Sequence, residues 1–361
     1  MTKNKPVITV GQLFGMFFIS RMIVNMTYNP MLTGGDSMWD HILSAAISFV
    51  LVFIMVIPVY KLCSIRGGID IANASYLFLG KAGAIVCSIY ALYYAFVSIY
   101  TLSLFDSFVS NAMSPNIPML ALSFMVIIVS CYAACKGIEG IARASFFILI
   151  LVVLSLAFIT IALFPQVDVK KFTPLMYDGN KQVVNGIILM LSRTSCVPAM
   201  AMLLPYVKGN KKRGIVIWNI AVYVTIAILI TVIVGSLGDY LKIQSFPIYT
   251  ATCIAEMGIL KKLDALYLGV WITGLFVKMS LFIYLISACI KRVLGQKAAK
   301  ISIFISGIII ALLSFFISRS IELILLVYSL RVIMILTLIT AIIIPLILLI
   351  INSIKCRRIC K

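Results

Sequence analysis

Histidine and acidic residues are scarce in this chain, which has 361 residues but a single His, His41, and only 11 Asp plus Glu. A metal site built on histidines, or a catalytic triad with a His base, has too few residues to draw on. Charged residues of both signs make up 11% of the chain, against about 25% in ordinary soluble domains. These shortages argue against the common classes of soluble enzyme.

Apolar residues take the place of the missing charge. They make up 63% of the chain, and the mean hydropathy is +1.16. A soluble fold of this length could not hide so much apolar surface beneath a polar exterior. Lipid is therefore the expected solvent for most of the chain, which predicts an integral membrane protein.

Continuous apolar runs of about 20 residues predict membrane-spanning helices rather than barrel strands, because they lack apolar–polar alternation. The predicted fold class is all-α, with ten transmembrane helices in a single domain over residues 1–361. The predicted helices lie near 7–29, 41–60, 82–110, 118–135, 138–163, 183–206, 214–237, 264–290, 301–318 and 331–352.

The 30 Lys and Arg residues give a net charge of +19 and stand in small groups between the apolar runs. A nucleic-acid partner would need a continuous basic face, which this spacing does not provide. Basic residues favour the cytoplasmic side of a membrane, so the groups around Lys61, Lys211 and Lys297 predict cytoplasmic loops. Both termini are then cytoplasmic, and 353–361 is predicted to be a basic tail.

Ten helices divide into two sets of five, 7–163 and 183–352, which enter the membrane from opposite sides because five is odd. This arithmetic fits the inverted repeat of many secondary carriers. Such carriers bind their ligand near the midplane, where the first helix of each repeat is broken. Helices 1 and 6 are therefore the predicted broken helices.

Polar groups interrupt both of these helices. Helix 6 has a polar centre closed by Pro198, which removes a backbone donor, and helix 1 has polar residues up to Thr27. Polar side chains at membrane depth are costly unless they face a cavity or a partner; kinked helices with back-bonded hydroxyls are the alternative. With two residues of helix 3, they form the candidate ligand-binding set: Ser20, Arg21, Asn25, Tyr94, Ser98, Ser192, Arg193, Thr194 and Ser195.

Two basic residues stand out at membrane depth, Arg193 in the helix 6 interruption and Lys278 inside helix 8. No carboxylate is equally central, so their partners must be backbone carbonyls, a bound anion or water in a cavity. Arg193 is predicted either to hold a ligand carboxylate or to clamp unwound carbonyls. Lys278 is predicted either to replace a coupling cation or to serve as a structural cation.

Helix 3 carries a tyrosine-rich stripe in which Tyr90, Tyr94 and Thr101 nearly share one face. In carriers of this plan the third helix lines the pocket, so the stripe is either a ligand contact or a set of core aromatics. A different segment, 239–263, contains Pro247 and no run long enough to span a membrane. It is predicted to form a helical lid over the outer mouth, since carriers close such gates on ligand binding.

Several short motifs stand in a characteristic order and spacing. They are Gly35-Asp36-Ser37-Met38-Trp39, Leu79-Gly80-Lys81, Lys136 to Arg143, Leu204-Pro205-Tyr206-Val207-Lys208, and Phe246-Pro247 followed by Leu263-Asp264-Ala265, Trp271, Phe276, Lys278 and Tyr284. In this order the chain resembles, over about 7–352, the B-subunit or spore permease family of nutrient germinant receptors, in the amino acid–polyamine–organocation transporter superfamily. It departs from that family in helix 1, where Arg21 to Asn25 stand in place of a glycine-containing break.

The resemblance implies a receptor subunit of the inner spore membrane, acting with an A subunit and a lipoprotein C subunit. It would bind a small nutrient, typically an amino acid, in a midplane pocket and trigger germination. A proton-coupled amino acid permease is the alternative, since fold does not dictate function. An enzyme is not expected, because no clustered carboxylates, His or nucleophile–base pair lie at membrane depth. No cofactor and no metal are predicted.

Overall fold

The computed structural model of this chain describes residues 7–26, 38–113, 118–172, 174, 176, 179–257, 260–261 and 263–359. Its helices are α1 (Val10–Asn25), α2 (Met38–Ser64), α3 (Ile71–Leu79), α4 (Gly83–Phe108), α5 (Met119–Leu163), α6 (Asn180–Ser192), α7 (Cys196–Leu203), α8 (Lys211–Leu237), α9 (Pro247–Ile254), α10 (Asp264–Leu294), α11 (Gln296–Ser318), α12 (Ile321–Val327), α13 (Leu330–Leu338) and α14 (Ile344–Ile359). Its strands are β1 (Ile8–Thr9), β2 (Val207–Lys208), β3 (Glu256–Met257) and β4 (Leu260–Lys261).

Within the described ranges, eight helical segments are long and apolar enough to cross a membrane, and α1 is a shorter apolar helix. The eight segments are Trp39–Ser64, Ile71–Ala112, Met119–Gln166, Asn180–Tyr206, Lys211–Leu237, Asp264–Leu294, Gln296–Ser318 and Leu330–Lys355. The prediction of a helical, multi-pass membrane protein is confirmed.

The distribution of apolar side chains is that of a protein in lipid. Large apolar residues point outward on the spanning helices, for example Leu92 on α4 and Phe147 on α5, which are 71% and 74% exposed. Polar side chains such as Asp106 and Ser280 are buried between helices instead. The bundle therefore presents an apolar surface and keeps these polar groups inside, as a lipid solvent requires.

α5 contains a sharp change of direction at Gly137, where the backbone has φ 83° and ψ 177°. This conformation is open to glycine and strained for residues with a Cβ. The two helices predicted at 118–135 and 138–163 are the two parts of α5 on either side of this glycine. A single glycine thus ends one apolar helix and starts the next.

The centre of the bundle is formed by α1, α7 and α10, and α7 is buried along its whole length. α10 lies so close to α1 that a Cβ on Gly274 would collide with the side chain of Ile23. The start of α1 is fixed by a capping box in which the Gln12 amide donates to Thr9 Oγ1 (3.3 Å). The most buried helices are therefore also those that carry the candidate residues.

The two ends of the bundle differ. At one end, here called the terminal face, Val7, Lys136 and Arg292 line one cavity, and Lys355 Nζ donates to the Phe78 carbonyl (2.8 Å). β1 pairs there with β2 in parallel, and at the opposite end, the far face, β3 pairs with β4 in antiparallel fashion beside α9. Both described ends of the chain thus lie at the terminal face.

One prediction about helix 1 was wrong. α1 is a continuous helix through Ser20 and Arg21, so the predicted break of helix 1 at that point is absent; Thr27 lies outside the described residues. α14 continues to Ile359, so the described part of the predicted basic tail, 353–359, is helical, and its cytoplasmic placement stays a prediction. The Arg21 guanidinium finds its hydrogen-bond acceptors outside α1, so the backbone of α1 need not unwind to supply them.

Candidate ligand site at an interrupted helix

The predicted interruption of helix 6 is present. α6 ends at Ser192 and α7 begins at Cys196, and Arg193 between them has φ −85° and ψ 5°, outside the helical range. Pro198 lacks the N–H that would bond to the Thr194 carbonyl, and the Val197 amide donates to that carbonyl instead (3.2 Å). Backbone groups near the break are consequently available to side chains from other helices.

Arg21 of α1 bridges this break. Its Nη1 donates to Thr194 Oγ1 at 2.5 Å, and its Nη2 donates to the Met190 carbonyl at 2.7 Å and to the Tyr223 hydroxyl at 3.4 Å. The guanidinium carbon also lies 5.9 Å from the centre of the Tyr223 ring. Arg21 is buried, so these contacts compensate its charge and join α1 to α6 and α8.

Arg193 is also buried, and it points from the break towards α4, where it hydrogen-bonds the Tyr100 hydroxyl. Arg21, for its part, clamps one carbonyl beside the break, that of Met190. Arg193 thus joins the break to α4, and its two predicted roles, binding a ligand carboxylate or clamping unwound carbonyls, both stay predictions.

Lys278 of α10 brings a third cation to the same place. It is 1% exposed, its Nζ lies 5.5 Å from the centre of the Phe282 ring, and Arg21 and Arg193 are near enough to repel it. No hydrogen bond or ion pair joins its ammonium to any residue that the structure describes. A buried ammonium of this kind attracts an anion.

Two α1 side chains face the same interior without protein partners. The Ser20 hydroxyl and both polar atoms of the Asn25 amide are buried, and within the described part of the chain none of them has a hydrogen-bond partner. Asn25 borders a cavity of about 10 Å³ beneath Ile248 of α9, near the size that holds one water molecule. These groups remain free to bind water or a ligand.

The hydroxyl-bearing candidates are mostly used within the protein. Tyr94 donates to the Pro198 carbonyl of α7 (2.9 Å), so it holds the second half of the interrupted helix against α4. Ser98 donates to the Tyr94 carbonyl, Ser192 to the Leu189 carbonyl and Thr194 to the Met190 carbonyl. Ser195 begins α7 without a side-chain cap bond. Tyr94 therefore joins α4 to α7, whereas Ser98 bonds within its own helix, and ligand contact by either stays a prediction.

Aromatic rings close the far face above the break. Phe108 of α4 lies 4.3 Å from Trp271 of α10 and 5.0 Å from both Phe246 and Tyr249, measured between ring centres. Burial, followed by a hydrogen bond with Cys253, raises the pKa of Tyr249 to about 12. α9 thus lies over the aromatic cluster, in the segment predicted to be a lid; residues 258, 259 and 262 of that segment lie outside the described ranges.

The terminal face is hollow by contrast. A cavity of about 590 Å³ there reaches from the exposed Arg292 inward to Met202 of α7. One wall is fixed by Asp70, which caps α3 and accepts a hydrogen bond from the Tyr206 hydroxyl (2.6 Å). In this structure aromatic rings cover the far face, and the cavity of the terminal face reaches α7 at Met202.

Sequence reasoning missed Tyr223, Tyr100 and Asp70. Tyr223 and Tyr100 lie within long apolar runs, where a tyrosine gives no sign of its partner. Asp70 did carry a signal, because an aspartate just before an apolar helix is a common N-cap. The described residues contain no group of three or more His, Cys, Asp or Glu side chains placed to hold a metal.

Two solved structures are similar to this one in fold. A Na⁺-coupled sialic acid symporter in a substrate-bound outward-open state has a TM-score of 0.63 and 12% identity, covering 92% of this chain and 79% of that one. A nucleobase-cation-symport-1 family transporter, closed with bromovinylhydantoin bound, has a TM-score of 0.61 and 11% identity, covering 94% and 80%. The chain therefore has the fold of these transporters.

Sequence relatives identify the family. Spore germination protein KB of Bacillus subtilis (strain 168) is 24% identical over 296 residues, which cover 78% of this chain and 77% of that protein. Spore germination protein XB of Bacillus anthracis is 26% identical over 192 residues, which cover 51% and 52%. The model of the spore permease family, described as spore germination protein, matches residues 7–322. The chain belongs to this spore germination protein family.

Proposed function

We propose that this protein is a germinant receptor subunit that binds a small nutrient, an amino acid, at the α6–α7 break and so triggers spore germination. The observation that carries the proposal is the gathering of three buried cations, Arg21, Arg193 and Lys278, at an interrupted helix. A carboxylate bound there would be attracted by all three, and burial strengthens such attraction.

The remaining contacts of an amino acid would come from α1 and from the break itself. The Ser20 hydroxyl and the Asn25 amide lack partners among the described residues, so they can accept or donate hydrogen bonds to the ligand. Backbone carbonyls near an interrupted helix suit a ligand ammonium. Membership of the spore germination protein family supports a sensing role for such binding.

We further propose ten membrane spans in a five-plus-five inverted repeat. The eight long segments give nine spans if α5 is divided at Gly137, and α1 adds the tenth. The basic loops then place the terminal face in the cytoplasm, with both termini there. In this arrangement the protein lies in the inner spore membrane and assembles with germinant receptor A and C subunits.

A proton-coupled amino acid permease is the second candidate, and the likeness in fold to two transporters favours it. Neither candidate is an enzyme, and neither requires a cofactor. The two differ in whether ligand crosses the membrane. Proteoliposomes that contain this chain alone would accumulate a labelled amino acid only if it is a permease.

The test of the receptor proposal is a germinant panel on spores that lack this gene, with complementation by the wild-type chain or by Lys278→Met. Deletion should abolish the response to at least one amino acid, and Lys278→Met should leave that response lost at normal protein level. Lys297→Met is the matched control, because Lys297 is exposed and outside the site. A deletion strain that answers every amino acid as the parent does would refute the proposal.

A further inference from the structure

A buried carboxyl group lies away from the ligand site. Asp106 stands near the end of α4 and is completely buried. It faces Ser123 of α5 and Ser314 of α11, so three helices meet at its carboxyl group. A carboxyl group inside a membrane is energetically costly, so an intramembrane carboxyl group is a candidate functional group.

The two oxygens of this carboxyl group differ in their hydrogen-bond donors. Asp106 Oδ2 accepts from Ser123 Oγ at 2.7 Å, whereas no described residue donates a hydrogen bond to Oδ1. The nearby hydroxyl protons are used elsewhere: Ser314 donates to the Ala311 carbonyl (3.0 Å), and Ser103 donates to the Ser314 carbonyl (3.4 Å). A carboxylate here would bury one oxygen with no donor, which is strongly unfavourable.

Asp70 shows what a buried carboxylate looks like in the same protein. Its Oδ1 accepts from the Asn73 amide (2.8 Å), and its Oδ2 accepts from Asn73 Nδ2 and from the Tyr206 hydroxyl, both at 2.6 Å. Three donors suit the charged form. Asp106 has one donor and a neighbouring hydroxyl oxygen, Ser314 Oγ, whose own proton is committed to another group.

No cation offsets the missing donors. Within the described part of the chain, burial and the hydroxyls of Ser123 and Ser314 are what act on the Asp106 carboxyl group, and no charged group does. The charged residues on or next to the elements packed against α4 do not act on this carboxyl group: Asp70, Lys81, Lys136, Glu139, Arg143, Asp264, Lys278, Lys291, Arg292, Lys297, Lys300, Arg319 and Glu322.

We infer that Asp106 is a proton-binding site, present as the neutral carboxylic acid, with the proton on Oδ1 directed at Ser314 Oγ. Every polar atom of the carboxyl group then has a partner, and α4, α5 and α11 are joined by a neutral network. Loss of the proton would leave a bare charge between the helices, so release requires that α4 and α11 separate enough to admit water. This site lies apart from the nutrient site and does not depend on the proposed function.

Infrared spectroscopy of the purified chain in lipid nanodiscs tests the inference directly. At neutral pH the wild type should show a carboxylic-acid C=O band that is absent from Asp106→Asn and retained in the matched variant Asp70→Asn. Ser314→Ala removes the hydrogen-bond acceptor and should shift the band rather than abolish it. A wild-type spectrum without such a band, or a band that neither Asp106→Asn nor Ser314→Ala changes, would overturn the inference.

Thermal unfolding against pH gives a second, independent measurement. Asp106 keeps its proton in the folded state and loses it on unfolding, so the unfolded state binds fewer protons and stability falls as pH rises. As pH rises above about 4, the ordinary pKa of an aspartate in an unfolded chain, the unfolding temperature of the wild type should fall relative to that of Asp106→Asn. Parallel curves for the two proteins would contradict a bound proton. Neither measurement involves a germinant, so neither outcome bears on the receptor proposal.

Discussion

The Arg21 guanidinium of α1 donates to the Met190 carbonyl of α6 at 2.7 Å. Met190 lies in the last turn of α6, which ends at Ser192, so its carbonyl is among those that a helix end leaves without a backbone donor. One buried side chain therefore compensates a helix end on a neighbouring helix, and its charge is compensated in return. The break depends on α1 for its stability.

Arg21→Lys should lower the stability of the protein. Lysine cannot reproduce the two-armed contact with Thr194 and the Met190 carbonyl, and each hydrogen bond to a charged group contributes about 1.5–3 kcal/mol. We expect a lower unfolding temperature and less folded protein in the membrane, measured by thermal shift and by blot. Arg143→Lys is the control, because Arg143 is exposed and pairs with Glu139 on its own helix. Equal losses in both variants would contradict the clamp.

Arg193→Lys should leave protein abundance normal and shift the germinant dose response. Lysine offers three donors on a point charge, so it cannot hold a carboxylate in the bidentate manner of arginine. Loss of one buried charge-assisted contact costs about 2–5 kcal/mol, roughly 30-fold or more in half-maximal concentration. A germination curve paired with a blot measures both quantities. Normal abundance with an unchanged curve would remove Arg193 from the site.

Phe108→Ala should loosen the cover over the far face. Phe108 contacts Phe246, Tyr249 and Trp271, so its removal takes away the ring that seats α9. On a background whose only thiol is Cys253, maleimide should label that thiol several-fold faster in Phe108→Ala. Phe316→Ala is the control, because Phe316 is an exposed ring on α11. The lid interpretation fails if labelling rates are the same in both variants.

Gly137→Ala should destabilise the protein through the backbone alone. A Cβ at this position meets no atom within 4 Å, so there is no steric clash to relieve. The conformation is nearly exclusive to glycine, and the expected cost is about 1–3 kcal/mol. Gly269→Ala is the matched control, since Gly269 is helical with equally open space, and it should be neutral or slightly stabilising. Unfolding temperatures compare the two, and an unchanged value for Gly137→Ala would be inconsistent with the observed φ.

The positive-inside interpretation predicts the sidedness of four lysines. Single cysteines at Lys211 and Lys297 should be protected from an impermeant reagent added to intact cells, and those at Lys170 and Lys261 should be labelled. The native cysteines must first be removed. Labelling at position 211 from outside would overturn the ten-span arrangement.

The sequence was informative where the signal is local. Pro198 and the polar run from Ser192 mark the break of helix 6, because they act on the backbone of their own helix. The apolar runs likewise predicted most helices to within a few residues. Gly137 sits between two predicted helices, where a glycine is a common helix terminator.

The errors arise where partners come from distant parts of the chain. Arg21 suggested a break in helix 1, but its guanidinium donates hydrogen bonds to Thr194 and Tyr223. These residues lie about 170 and 200 positions further along the chain. The same distance hides the bond between Tyr94 and the Pro198 carbonyl. Periodicity describes one helix at a time, so it cannot show which buried polar groups will meet.

The parallel pairing of β1 with β2 limits how the terminal face can move. Ile8 pairs with Val207, Thr9 pairs with Lys208, and the Val7 amide donates to the Tyr206 carbonyl at 2.8 Å. α1 begins directly after β1, and β2 follows closely on α7. The β1–β2 pairing therefore connects α1 to the second half of the interrupted helix. At this face the ends of α1 and α7 must therefore move together. Widening the cavity of the terminal face then requires the surrounding helices to move away from this joined pair.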